Sequence, residues 1–159
     1  MRRPAILTTM MLAPCLIAAS GPQSIGQFGR WGAFRAADGA SCYAIAQPSR
    51  SGREDGAYLT ISSWPARRLV RQIHVRFRGV PADGAVLSIG ERRFPLATNS
   101  ADGWPASPAD GRRIARLVRE GGTLRITARI GGRRISDTYA LAGAPSAIDA
   151  ADLACLRER

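Results

Sequence analysis

The sequence predicts a mainly β fold, an antiparallel sandwich or small barrel, with one short internal helix and a second helix at the C-terminus. Three observations carry this expectation. Short runs alternate apolar and polar residues, turn pairs containing glycine separate those runs, and only two stretches switch to helical spacing. The chain of 159 residues has room for one ordinary domain that buries its own core.

The first element is MRRPAILTTMMLAPCLIAAS, in which Arg2 and Arg3 precede an apolar run from Ala5 to Ala19 and small residues close at Ser20. This pattern is that of a secretory signal, segment 1–20. The run is roughly 15 residues, short of the roughly 20 that span a bilayer, so cleavage near Ser20 is expected in place of a retained membrane helix. Residues 21–159 then form one mature domain with no transmembrane helix. An acylation box ending at Cys15 is the weaker alternative, because Pro14 stands where a small residue is expected. If Cys15 leaves with the signal, Cys42 and Cys155 travel together to an oxidising compartment. A single disulfide is the natural inference there, and two independent buried thiols are the alternative.

Past a leader from Gly21 to Arg30, the strands follow in order. Trp31–Arg35 and Cys42–Gln47 flank Asp38-Gly39, a pair suited to a tight hairpin. The loop PSRSGREDG, with Asp55-Gly56, opens a strand over Ala57–Trp64. Leu69–Arg78 alternates most clearly: Leu69, Ile73, Val75 and Phe77 on one face, Gln72, His74, Arg76 and Arg78 on the other. Ala85–Ile89 and Arg92–Leu96 flank Gly90-Glu91. Thr123–Ile130 and Arg133–Leu141 flank Gly131-Gly132, with Leu124, Ile126, Ala128 and Ile130 facing inward.

Two segments have helical spacing. In SPADGRRIARLVREGG, Ser107 or Asp110 caps the start, Ile114, Leu117 and Val118 form the apolar stripe, and Gly121 supplies the stop. In PSAIDAADLACLRER, Ser146 is the candidate cap, and Ile148, Ala151, Asp152 and Cys155 share one side. PADG occurs at Pro81 and again at Pro108, in different contexts, and is not a repeat.

The formal net charge is +11, and all 23 basic residues are arginine. With no lysine in the sequence, the usual phosphate-binding P-loop, Schiff-base chemistry and a kinase-type ATP site are excluded in their ordinary forms. Nucleic acid is not an expected partner: the signal would remove the chain from it, and no aromatic stacking platform accompanies the arginines.

Several motifs together resemble one family. They are Trp31-Gly32-Ala33-Phe34, Cys42-Tyr43-Ala44-Ile45-Ala46-Gln47-Pro48, Leu117-Val118-Arg119-Glu120-Gly121-Gly122, Asp137-Thr138-Tyr139-Ala140-Leu141-Ala142-Gly143, and Ala147-Ile148-Asp149 followed by Cys155. In this order and spacing the chain is similar to the invasion-associated locus B family of exported bacterial proteins, over almost the whole mature chain. The resemblance implies an immunoglobulin-like β-sandwich and a periplasmic, outer-membrane or secreted location. Family members often carry another cysteine shortly after the tryptophan, where this chain has Ala36, and a phenylalanine after the late glycine, where it has Ala144. The first departure leaves Cys42 and Cys155 as the pair available for a bridge.

His74 is the single histidine. It lies on the polar side of its strand, and a solvated surface residue is the expectation, since no G-x-S-x-G elbow accompanies it. One histidine and two cysteines expected to be oxidised make no convincing zinc ligand set, and no cofactor is expected. Asp137 and Tyr139 share a face with Ile135 and Leu141, which would bury the acid unless the backbone or an arginine satisfies it; the pair reads as a structural polar anchor. Arg76 and Arg78 on one strand, and Arg125 and Arg129 on another, would make a candidate anion-binding patch if those strands were neighbours. The expected function is therefore a non-enzymatic envelope protein that binds an anionic lipid, an acidic glycan or a protein. A structural or stress-related periplasmic protein is the alternative, and a hydrolase using carboxylates a weaker one.

Overall fold

The computed structural model of the chain describes residues 21–49 and 56–156. The expected signal segment 1–20, and Asp55 of the second Asp-Gly pair, lie outside the described residues. The elements are β1 (Gln23–Phe28), β2 (Trp31–Arg35), β3 (Cys42–Ala46), β4 (Tyr58–Trp64), β5 (Leu69–Arg76), β6 (Pro81–Ile89), β7 (Arg92–Asn99), β8 (Asp102–Pro105), α1 (Pro108–Leu117), β9 (Thr123–Ile130), β10 (Arg133–Ala140) and α2 (Ala144–Leu156). The chain is mainly β, with one internal and one C-terminal helix, as the alternation predicted.

All strand pairs are antiparallel, in the order β1-β2-β3-β4-β5-β8-β7-β6-β9-β10. The sheet curls over one core, so its two ends meet. The indole of Trp31 on β2 donates to the Ala140 carbonyl at 2.8 Å, and the Ser49 amide donates to the Thr138 carbonyl of β10 at 2.7 Å. Inner-face residues from both halves, among them Leu59, Val75, Leu87, Leu124 and Tyr139, belong to one buried cluster. A sandwich-like arrangement results, because each half carries an apolar face that the other half, with the helices, covers.

Two strands escape the alternation pattern. The stretch Gly21–Arg30, expected as a leader, holds β1, an edge strand whose register against β2 shifts between Ser24 and Gly26. That bulge breaks the period of two. The short β8, DGWP, contains a proline and pairs β5 through Val75↔Gly103 and Arg76↔Asp102 alone.

Ser107 caps α1, its hydroxyl accepting from the Asp110 amide at 3.1 Å, an interaction worth about 1 kcal/mol. Ser146 does not cap α2. That helix begins at Ala144, and its first internal bond runs from the Ala147 amide to the Gly143 carbonyl at 3.0 Å. Gly143 has φ +88, and a Cβ there would stand 2.1 Å from the Phe28 carbonyl oxygen. Only glycine permits so close a turn onto β1.

The alanine-rich composition of α2 follows from where it packs. Ala144, Ala147 and Ala151 are buried, and the sheet face made by β2 and β3 presents the small residues Ala33, Ala44 and Ala46. Small side chains on both surfaces let a helix lie close to a sheet without a void. At the far end of this contact Cys155 is bonded to Cys42, with Cα atoms 5.9 Å apart.

A polar network fastens the same helix. Ser63 donates to Asp152 at 2.7 Å, the Arg71 Nε donates to the other Asp152 oxygen at 2.9 Å, and Arg119 grips Asp149 through two bonds of 2.7 and 3.0 Å. The Arg119 hydrogen bond and charge hold the Asp149 carboxyl below the usual carboxylate range. Arg71 reaches this network because of a bulge: the β4–β5 register shifts between Ser62 and Trp64, and Arg71 itself adopts φ 52. The same bulge turns Leu69 out to solvent, so the alternation that assigned it an inward face fails there.

Candidate functional site

The four candidate arginines do not form one patch. β5 and β9 are separated by β8, β7 and β6, so the strands carrying them are not neighbours. Arg76 is engaged by Asp102 across the β5–β8 pair at 2.7 Å. Arg129 sits at the β9–β10 hairpin, where its Nη1 donates to the Gly132 carbonyl at 3.4 Å and its Nε lies 3.9 Å from Asp83. Arg78 and Arg125, by contrast, come together through the curl of the sheet.

They meet at the outer edge of β10, in an open concavity of about 640 Å³ lined by Pro48, Ser49, Arg78, Arg125, Arg134, Ile135, Ser136, Asp137 and Thr138. The register explains the grouping. Thr138 stands opposite Arg125, Ser136 opposite Thr127 and Arg134 opposite Arg129, so these residues share one face of the β9–β10 hairpin. Arg78 follows β5 and pairs with Asp137. Among the described residues no carboxylate pairs with Arg125 or Arg134. Among the described residues the concavity carries three guanidinium groups and one acid, alongside the hydroxyls of Ser49, Ser136 and Thr138.

Asp137 and Tyr139 both point inward from β10, next to Leu141, and are buried. An isolated carboxylate would be costly there, and the Arg78 guanidinium meets it from the rim. Burial first, then the Asp137 charge, raises the pKa of the Tyr139 phenol, with Arg78 opposing the rise.

His74 is not a solvated surface residue. Its ring lies between Tyr58 and Trp104, with centroids 5.9 and 5.4 Å away, and Nε2 is 2.8 Å from Asp102. Asp102 thus bridges His74 and Arg76. The ring's other nitrogen, Nδ1, lies 3.5 Å from the Thr60 hydroxyl. Thr60 is only 8% exposed, so this hydroxyl is not presented to a substrate, and the group works as a fixed polar cluster between strands. Among the described residues, no group of three His, Cys, Asp or Glu side chains is arranged to hold a metal ion, and no helix is long and apolar enough to cross a membrane.

Sequence reasoning passed over Arg134 and Asp102. Arg134 had a readable signal, since it alternates with Ser136 and Thr138 along its strand. Asp102 had none, because its strand was not anticipated. Comparison with protein-family models, with curated proteins and with solved structures finds no match to this chain.

Proposed function

We propose that this chain is an exported binding protein of the bacterial envelope, of the kind its resemblance to the invasion-associated locus B family implies, and that it takes an anionic glycan at the β10 concavity. The observation that carries this reading is the convergence of Arg125 and Arg134, guanidinium groups with no carboxylate partner among the described residues, on a concavity also lined by three hydroxyl side chains. Guanidinium forks suit carboxylate, sulfate and phosphate groups, and hydroxyls suit the neutral positions of a sugar. Arg78, held by Asp137, acts as the fixed wall of the site. The disulfide between Cys42 and Cys155 suits an oxidising compartment. The role is recognition and not catalysis.

The test compares two double variants that each remove two positive charges. Calorimetric titration with a heparin hexasaccharide should give at least tenfold weaker binding for Arg125→Ser/Arg134→Ser, since charged hydrogen bonds contribute about 1.5–3 kcal/mol each and about 1.4 kcal/mol is a factor of ten. Arg112→Ser/Arg116→Ser, on α1 and outside the concavity, should bind nearly as well as the wild type. Equal losses in the two variants would mean that net charge alone attracts the polyanion, and the reading would fall.

A further inference from the structure

A second cleft, lined by none of the residues of the β10 concavity, lies between the start of β5 and the helix α1. Its volume is about 550 Å³, and its lining is mainly apolar. β8 reaches only the end of β5, at Val75 and Arg76, so among the described residues the stretch Leu69–Ile73 has no strand beside it on that edge. Helix α1 stands there instead and leaves a trough.

The floor of this trough is large, apolar and exposed: Leu69 is 41%, Val70 62% and Trp104 41% accessible. Burying such surface is worth roughly 25 cal/mol per Å², so large apolar side chains left open around one cleft are a place where an apolar group gains by docking. The rim is cationic. Arg68, Arg112 and Arg116 line it, the last two one helical turn apart on α1, and none of the three has an ion-pair partner among the described residues. Among the described residues no acidic side chain lines the cleft. Arg71, the arginine nearest the floor, is withdrawn by its bulge toward Asp149 and Asp152 on α2.

Two further details narrow the occupant. The Gln72 side-chain amide donates to the Val70 carbonyl at 3.1 Å, which engages one main-chain acceptor of this stretch. The Trp104 ring is held on one side by His74, itself fixed by Asp102; a braced aromatic wall is a surface for an acyl chain, and it need not reorganise to receive one.

From the apolar floor, the guanidinium rim and the braced Trp104 ring, we infer that the β5–α1 cleft binds a single long acyl chain whose head group is anionic. The chain lies along Leu69, Val70 and Trp104, and the head group meets Arg112 and Arg116. This site shares no residue with the β10 concavity, so the two readings stand or fall separately.

Tryptophan fluorescence during titration with dodecyl phosphate, kept below its micellar concentration, tests the inference. The expected result is a saturable change, at least tenfold weaker in Val70→Asp and in Arg112→Gln/Arg116→Gln, with neither inorganic phosphate nor dodecyl maltoside reproducing it. Arg125→Ser/Arg134→Ser should titrate as the wild type does. Circular dichroism and urea midpoints of the variants establish that they are folded; Val70 and the two arginines are exposed, and their replacement should leave both unchanged. Absence of saturable binding by the wild type would overturn the inference, as would equal binding of dodecyl maltoside or undiminished binding by the folded variants.

Discussion

Reduction of the Cys42–Cys155 bridge should lower stability by an amount that can be worked from the topology. The bond joins residues 113 apart in sequence. Treating it as a constraint on the unfolded chain, the loop-closure entropy for that length corresponds to about 5 kcal/mol at 25 °C, near the upper end of what disulfides contribute. A domain of this size has a total stability of about 5–15 kcal/mol, so the loss is a large fraction of the whole. With a urea m value of roughly 2 kcal/mol/M, the unfolding midpoint should fall by about 2.5 M. The assay is urea unfolding of the domain with and without reductant, alongside Cys42→Ala/Cys155→Ala, which removes the bond permanently. Helix α2 keeps its salt links from Arg71 and Arg119 in both cases, so the variant should still fold at low urea. A midpoint shift below roughly 0.5 M, about 1 kcal/mol, would refute the reasoning, as would two titratable thiols in protein denatured without reductant.

Two further outcomes concern the end of the chain. Gly143→Ala should destabilise by about 3 kcal/mol or more, because the added Cβ would stand 2.1 Å from the Phe28 carbonyl oxygen and the residue has φ +88. Gly131→Ala, at φ +56 with open space around it, should cost only about 1 kcal/mol; equal urea midpoints for the two would contradict the close docking of α2 on β1. The second outcome is a pH dependence. The raised pKa of Tyr139 means that above pH 10 the unfolded chain gives up the phenolic proton while the folded chain keeps it. Stability is fully present below that pH and is lost above it by about 1.4 kcal/mol per unit until the folded-state value is reached. Urea titrations at pH 9, 10 and 11 should show a shallower decline for Tyr139→Phe than for the wild type, and identical slopes would remove Tyr139 as the cause.

The C-terminal segment illustrates why stability and recognition separate in this molecule. The run from Asp137 to Cys155 includes an acid, a tyrosine and a cysteine, which in isolation suggest chemistry. In the fold, Asp137 is matched by Arg78, Tyr139 is buried, and Cys155 is bonded to Cys42. Each group is spoken for by a structural partner. Arginines with no carboxylate partner among the described residues lie elsewhere, among them Arg125 and Arg134 on the outer face of β9–β10 and Arg112 and Arg116 on α1.

How much of this was legible beforehand depends on the range of the interaction concerned. Most of the strands and both helices were readable because their signals are local: a period of two, a period of 3.6, and glycine at the turns. β1 and β8 were not, since a bulge and a proline interrupt the period. The concavity was half legible, with Arg78 and Arg125 identified and Arg134 passed over. The peptide PADG shows the limit clearly. At Pro81 it lies in β6 and at Pro108 it opens α1; the cap from Ser107 and the apolar spacing that follows decide the second case, and the alternation of Ala85, Leu87 and Ile89 decides the first.

By itself, then, the amino-acid order determined the β-rich class, the two helices, the arginine-only charge and the two cysteines available for a bridge. Only the tertiary structure decided which strands are neighbours, and with that which arginines share a surface. Arg76 and Arg125 each face outward by the same alternation, yet one is neutralised by Asp102 on an unanticipated strand and the other, opposite Thr138, lines a concavity that Arg134 also lines. The physical reason is that side-chain facing follows from the bond geometry of adjacent residues, whereas strand order follows from how ten strands together bury their apolar faces, a condition on the whole chain that no short window contains.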